Sequence, residues 1–232
     1  MDQAQGAFGD SDAPIMADYL QMGGLLAQSR QRPDEARKML SRASAVYAGA
    51  GLTLSQAQAE RNLANLLAYD LNDRKEGEVH YHQALVLVER ARGRDSSDYA
   101  DIEASLGMFL ADADCAAGAE YLDHARRVLE PLRAPMLGTV LGQLGDCARA
   151  TDRERAAANY EGAIALCTDR GCEPGMLEHL HQALGTLLAT EANTRGRGLA
   201  LLRTALDGFA RLGDAESVAE VKKALAQWER PK

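Results

Sequence analysis

The feature that most constrains this 232-residue chain is a pattern that recurs five times at a period of about 40 residues. Each copy has an apolar-small pair in a first segment and a small-large-small pattern, at spacings of four and three, in a second. The first segments contain Met22-Gly23, Leu63-Ala64, Leu106-Gly107, Leu144-Gly145 and Leu184-Gly185. The second segments contain Ala36/Leu40/Ala43, Gly77/Tyr81/Ala84, Gly118/Leu122/Ala125, Ala156/Tyr160/Ala163 and Gly198/Leu202/Ala205. Small residues at fixed places let two helices approach closely, and such a period is typical of stacked helical repeats.

The composition excludes a substantial β-sheet. The chain has 42 Ala and 32 Leu, which are strong helix formers, but only 8 Val and 3 Ile. Because β-branched residues are the ones that suit strands, their scarcity predicts an all-α protein.

The repeat predicts a solenoid of five antiparallel helix pairs. The pairs occupy residues of about 17–52, 55–94, 97–133, 136–171 and 175–212, after a mobile segment at 1–16. Capping-box patterns at Ser55/Gln58 and Thr151/Glu154, and a looser one at Asp73/Glu76, mark predicted helix starts.

A last helix is predicted at 214–229, with a single apolar stripe at Val218, Val221, Leu225 and Trp228. A terminal repeat needs a cap with a polar outer face, so capping is the favoured interpretation. Use of the same stripe in a homodimer through the C-terminal helix stays open as the alternative.

The charge pattern argues against nucleic acid and membrane partners. The net charge is −8, and no run of Lys or Arg exceeds two residues, so no basic stripe is available to bind phosphates. No apolar run approaches the roughly 18 residues that span a bilayer, and residues 1–14 lack the pattern of a secretory signal. We therefore expect a cytoplasmic protein.

Catalytic and metal-binding patterns are missing from the sequence. The pairs His80/His82 and His179/His181 are two residues apart, which on a helix points the side chains in different directions. In a reducing compartment the cysteines at 115, 147, 167 and 172 are expected to be small buried thiols, with a reversible Cys167–Cys172 disulfide as the weaker alternative. We predict a protein that is not an enzyme, with no catalytic residue, metal or cofactor.

The small residue of the first helix and the small-x-x-x-aromatic-x-x-Ala run of the second resemble the tetratricopeptide repeat. The stretch from Ala59 to Glu130 is similar to the long-helix, roughly 42-residue variety found in kinesin light chains and bacterial regulators. The resemblance covers residues 17–212, although no repeat has the Trp expected early in its first helix.

The resemblance implies a right-handed superhelix whose first helices line a concave groove for a protein or an extended peptide. Groove positions projected from each small residue give the predicted binding residues Arg61, Asn62, Asn65, Tyr69, Met108, Asp112, Asp146, Arg149, His179, Gln182 and Thr186.

One known use of such a groove is a clamp that holds the terminal carboxylate of a peptide. Arg61 and Asn65 match its first two positions, but Ser105, Thr139 and Gln143 stand where an Asn and two basic residues are expected. The clamp is incomplete, so a carboxylate-terminated tail is not the favoured ligand.

The sequence thus predicts a non-catalytic scaffold or adaptor that binds a protein or peptide in its groove. Two alternatives remain: a regulatory sensor whose superhelix responds to a small peptide or metabolite, and a structural subunit of a larger assembly.

Overall fold

A computed structural model describes residues 13–229, which form eleven α-helices and a short π-helical segment and contain no strand. The helices are α1 (Ala13–Ser29), α2 (Pro33–Gly49), α3 (Thr53–Asn65), α4 (Arg74–Arg92), α5 (Ser97–Ala111), α6 (Cys115–Leu129), α7 (Met136–Ala148), α8 (Arg153–Arg170), α9 (Met176–Ala189), α10 (Arg195–Leu212) and α11 (Ala215–Trp228); the π segment is Leu66–Asp70. The prediction of an all-α protein is confirmed.

The chain divides into two compact units, unit 1 (Met1–Ala113) and unit 2 (Asp114–Lys232). In unit 1, α1 packs on α2, α2 on α3, α3 on α4, and α4 on α5. In unit 2, successive helices from α6 to α11 pack on one another in the same way. Of the predicted mobile segment 1–16, residues 1–12 lie outside the described part of the chain, and 13–16 form the first turn of α1.

The small residues of the repeat lie where paired helices touch. A Cβ atom on Gly198 of α10 would lie 2.7 Å from the backbone oxygen of Gly185 on α9. A Cβ atom on Gly77 of α4 would lie 3.1 Å from the backbone oxygen of Ala64 on α3. The repeat pattern therefore marks the close contacts within helix pairs of both units.

A buried polar cluster joins three helices of unit 1. The Glu60 carboxylate on α3 accepts hydrogen bonds from the hydroxyl of Ser44 on α2 and pairs at 2.5 Å with Nδ1 of His80 on α4. Burial by itself raises the pKa of Glu60, but the bonds from His80 and Ser44 outweigh it and bring the pKa below its ordinary value of 4.5. The carboxylate is therefore charged at neutral pH.

Two predicted helix starts were wrong by a few residues. α3 begins before Ser55, at Thr53, and the cap of α8 is the Asp152 carboxylate rather than Thr151. The looser pattern at Asp73 is confirmed, since its carboxylate accepts from the backbone N–H of Glu76 at 3.2 Å. In α8 the neighbouring Asp152 takes the capping role, whereas α3 begins after Leu52 without a side-chain cap.

All four cysteines form disulfides, and both disulfides lie in unit 2. Cys115 at the start of α6 is bonded to Cys147 on α7, with Cα atoms 5.4 Å apart. Cys167 near the end of α8 is bonded to Cys172 in the following loop, with Cα atoms 4.9 Å apart. The expectation of free buried thiols was wrong. Because disulfides are rare in reducing compartments, the two bonds weigh against the predicted cytoplasmic location, from which the expectation of free thiols followed.

The stripe predicted on the last helix faces the interior of unit 2. Val221 and Leu225 of α11 are buried against Phe209 of α10, with Val218 and Trp228 packed beside them. This packing agrees with the capping interpretation and occupies the surface that the alternative, a homodimer through α11, would need. Within residues 13–229 no helix is both long and apolar enough to cross a membrane.

Candidate functional site

In unit 1 the predicted groove residues on α3 are engaged with other side chains of the unit. The Asn65 side-chain oxygen accepts a hydrogen bond from the Tyr81 hydroxyl, and the Gln58 amide bonds Asn62 at 3.2 Å. Burial lowers the pKa of Arg61 and raises that of Asp101, and the two opposite charges attract each other. Arg61 therefore already has an acidic neighbour, which weakens its predicted use as a holder of a ligand carboxylate.

The π segment after α3 positions the next predicted residue, Tyr69. Its wider turn ends the helix with a bond from the Leu71 amide to the Leu66 carbonyl. The exposed Tyr69 ring lies edge-on to Phe109, and its hydroxyl donates to the Asp112 carboxylate at 3.0 Å. Tyr69 of the π segment and Asp112, directly after α5, are therefore neighbours that are bonded to each other, and their role in binding stays a prediction.

Met108 on α5, one turn before Asp112, is only half-buried, whereas the remaining predicted residues of unit 1 lie on α3 and in the π segment. The six predicted residues of unit 1, from Arg61 to Asp112, therefore lie among side chains that mostly bond one another.

Unit 2 contains an open groove with a volume of about 770 Å³, within the roughly 300–1,000 Å³ of typical ligand pockets. Its walls come from α7, α9 and α11, with contributions from α8 and from the loop before α9. The lining residues are Thr139, Gly142, Gln143, Asp146, Arg149, Tyr160, Pro174, Met176, His179, Leu180, Gln182, Ala183, Thr186, Glu220 and Ala224.

All five predicted binding residues of unit 2 line this groove. They are Asp146 and Arg149 on α7, and His179, Gln182 and Thr186 on α9. Projection from the small residue of each repeat placed them correctly because residues three to four apart on a helix share one face. Their role in binding is a prediction.

Neighbouring side chains hold several of these groups in place. The Tyr160 hydroxyl donates to the Asp146 carboxylate at 2.7 Å, and burial together with that bond raises the pKa of Tyr160. His179 packs against Phe209 of α10 with ring centroids 4.8 Å apart, and the Gln182 amide approaches Glu220 of α11 at 3.5 Å. The tyrosine is a neutral donor at physiological pH, so the negative charge here belongs to the carboxylates.

Sequence reasoning missed Tyr160, Met176 and Glu220 as lining residues. The sequence predicts that the helix containing Glu220 is a cap, with no part in a groove. The signal that would have found it is the repeat period, since Glu220 follows Gln182 by 38 residues, and Gln182 follows Gln143 by 39. The capping helix thus continues the groove as the first helix of a further repeat would.

The groove presents hydrogen-bonding groups over a floor of small residues. Gln143, Gln182, Thr139 and Thr186 each carry both donor and acceptor capacity. Among residues 13–229 no group of three His, Cys, Asp or Glu side chains is arranged to hold a metal ion.

Solved structures with the same fold are known at low sequence identity. Two crystal structures of a kinesin light chain-type protein of Podosopora anserina, with nearly identical TPR-like repeats, superpose with TM-scores of 0.65 and 0.64 at 12% and 13% identity. They cover 88% and 87% of this chain and 99% of their own. BtubC (BKLC) from P. vanneervenii superposes with a TM-score of 0.63 at 15% identity, over 89% of this chain and 92% of its own.

No family model matches the sequence, and no curated protein does. The resemblance read from the repeat pattern is confirmed at the level of fold, while the handedness of a superhelix stays a prediction. The chain has the tetratricopeptide-type helical-repeat fold.

Proposed function

We propose that the protein is a non-catalytic scaffold or adaptor that binds an extended segment of a partner protein in the groove of unit 2. The observation that carries the proposal is the open groove of about 770 Å³, in which neutral hydrogen-bonding side chains on α7 and α9 lie among small residues.

The polar lining suits a peptide main chain. An extended segment presents an N–H donor and a C=O acceptor at each residue, and these groups lose water when the segment enters a groove. Gln143 and Gln182 offer an amide donor and an amide acceptor each, so they can bond both kinds of group. Gly142, Ala183 and Ala224 between them leave room for the side chains of the peptide.

The charged lining favours a peptide with a basic residue. Asp146 and Glu220 are exposed carboxylates in the lining, whereas Arg149 is the single arginine there. A lysine or arginine side chain of the partner would find two acceptors, and a terminal carboxylate would meet repulsion from the same groups. This preference agrees with the incomplete carboxylate clamp in the sequence.

Peptides selected on the protein from a random-peptide display library provide the test. Their affinities are measured by fluorescence anisotropy for the wild type and for Gln182→Ala, which removes hydrogen bonds from the middle of the groove. We expect a loss of about tenfold, since a buried hydrogen bond to a ligand is worth on the order of 1.4 kcal/mol.

The matched control is Thr204→Ala on α10, whose hydroxyl bonds the backbone of its own helix at Ala200 and which does not line the groove. Equal affinities for the wild type and Gln182→Ala across all selected peptides, with unchanged circular dichroism, would contradict groove binding.

A further inference from the structure

An exposed apolar stripe runs along α1 of unit 1. Ile15, Tyr19, Met22 and Leu26 are 60%, 68%, 68% and 51% exposed, and Leu25 beside them is 37% exposed. The spacings of the four main residues are four, three and four, which is the heptad spacing of a helix that packs along one other helix. The stripe thus has the form of a helix-pairing seam, and none of residues 13–113 covers it.

The opposite face of α1 is the one that holds the helix in the fold. Ala17, Leu20, Gly24 and Ala27 are buried, and α2 is the helix packed against them. Since packing on α2 uses other residues, the exposed stripe is not needed to attach α1 to unit 1.

The stripe lacks charge on both of its flanks. The single charged residue of α1 is Asp18, and its carboxylate accepts a hydrogen bond from the Tyr47 hydroxyl of α2 at 2.6 Å. Charged residues flanking a seam normally select a different partner by complementary charge. A stripe whose flanks lack such charges can pair with the same stripe on a second copy of the chain.

An alternative contact places the C-terminal helix, α11, of a second copy on the α1 stripe. The exposed residues of α11 include Glu216, Glu220, Lys222 and Lys223. Placing them on an apolar stripe would bury charges without partners, and such a head-to-tail contact would add copies without closing. The self-complementary arrangement, stripe on stripe, avoids both costs.

We propose that the chain forms a homodimer through two α1 helices packed antiparallel about a two-fold axis that passes between Tyr19 and Met22. In this register Tyr19 of each copy contacts Met22 of the other, which is a favourable sulfur–aromatic pair. Ile15 contacts Leu26, and Asp18 lies opposite Gly23 rather than opposite the second Asp18.

The area of the stripe sets the expected affinity of the dimer. Five partly exposed side chains of this size offer on the order of 500 Å² per copy, compared with roughly 800 Å² per partner in a standard stable interface. The dimer is therefore expected to dissociate in the micromolar range.

Sedimentation velocity of the full chain at about 1 to 200 µM tests the proposal. The expected result is a concentration-dependent shift from the 25.0 kDa monomer to twice that mass, and at least tenfold weaker association for Met22→Glu. The matched control, Val79→Glu, changes a 49% exposed apolar residue on α4 and should leave the dimer intact.

A cross-linking experiment tests the register. Under mild oxidation, a mixture of Tyr19→Cys and Met22→Cys proteins should form an intermolecular disulfide faster than either protein alone, because the two positions face each other in the antiparallel dimer. A monomer at every concentration, or a dimer that Met22→Glu leaves unchanged, would overturn the proposal. Faster cross-linking of either protein alone would overturn the antiparallel arrangement.

Discussion

Units 1 and 2 place the same kind of side chain at the same point of the repeat, and they use it differently. The large residue of the second-helix pattern is Tyr81 in α4 and Tyr160 in α8, and each hydroxyl donates to the residue directly after the small one, Asn65 or Asp146. In unit 1 the neighbouring polar groups also bond one another, as Tyr69 does with Asp112. In unit 2 they line an open groove.

The two units are also held together differently. Unit 1 has a buried polar cluster around Glu60, whereas unit 2 has two disulfides. The two units of one repeat pattern therefore rely on different stabilising chemistry, and the open groove with a polar lining occurs in the unit that is covalently reinforced.

The largest expected effect is the loss of the disulfide between α6 and α7. Replacing Cys115 and Cys147 with Ala should destabilise unit 2 by about 4 kcal/mol, because a 32-residue separation in the unfolded chain is no longer constrained. Hydrogen exchange followed by mass spectrometry should show lost protection in α7 and α8. The same replacement at Cys167 and Cys172, separated by 5 residues, should cost only about 2 kcal/mol.

Helices α3 and α4 of unit 1 serve as the internal control in that experiment. An equal loss of protection in both units would contradict the assignment of covalent reinforcement to unit 2 alone.

The second effect concerns a close backbone contact between α9 and α10 of unit 2. A Cβ atom on Gly198 would lie 2.5 Å from the backbone nitrogen of Ala189, and backbone cannot move aside cheaply. Gly198→Ala should therefore lower the free energy of unfolding by about 3 kcal/mol. Gly77→Ala in unit 1, where the nearest atoms are at 3.1 Å or beyond, should cost less. Urea denaturation measures both.

Gly196→Ala on the same helix is the matched control, because nothing lies within 4 Å of its added Cβ. It should stabilise the protein by up to about 1 kcal/mol through helix propensity. A cost for Gly196→Ala as large as that for Gly198→Ala would refute close packing as the cause.

The third effect probes the buried polar cluster of unit 1. Glu60→Gln should cost about 2 kcal/mol at neutral pH, since the carboxylate loses its contacts with His80 and Ser44 and one hydrogen bond is replaced by a mismatched amide. The pKa of Glu60 is lower in the folded chain than its ordinary 4.5, so its contribution is complete above that pH and is lost as the pH falls through the folded value.

Thermal denaturation between pH 7 and pH 3 measures that dependence, which should be weaker in Glu60→Gln. Glu76→Gln, which removes an exposed ion pair with Arg37 at 2.9 Å, is the control and should change stability by less than about 1 kcal/mol. A pH profile that is identical in the wild type and Glu60→Gln would exclude the cluster as its source.

The smallest effect compares the two equivalent tyrosines. Tyr81→Phe removes the hydrogen bond to the Asn65 side-chain oxygen, which lies among side chains that bond one another, and should lower the free energy of unfolding by about 1.5 kcal/mol. Tyr160→Phe leaves the exposed Asp146 carboxylate to bond water and should lower it by only about 0.5 kcal/mol. Chemical denaturation of the two variants measures the difference. The reverse order would mean that the groove of unit 2 is less hydrated than its exposed lining indicates.

The repeat pattern predicted an all-α chain of helical repeats, and the five binding residues that it predicted in unit 2 line one groove, where their role in binding stays a prediction. Asp146, His179 and Thr186 line the groove because a helix fixes which residues share a face. The pattern failed at Thr151, where the adjacent Asp152 caps the helix, and at Ser55, where the helix begins earlier without a side-chain cap. It also failed at Glu220, where a helix interpreted as a cap lines the site.

The sequence by itself determined an all-α chain of tetratricopeptide-type repeats, because Ala and Leu content and small-residue spacing act locally along each helix. Only the tertiary structure decided that Cys115 bonds Cys147, that Tyr69 of unit 1 bonds Asp112 while the polar residues of unit 2 line an open groove, and that the stripe on α1 is exposed. These features depend on how helices more than 30 residues apart in sequence are oriented against each other, and local periodicity does not encode that orientation.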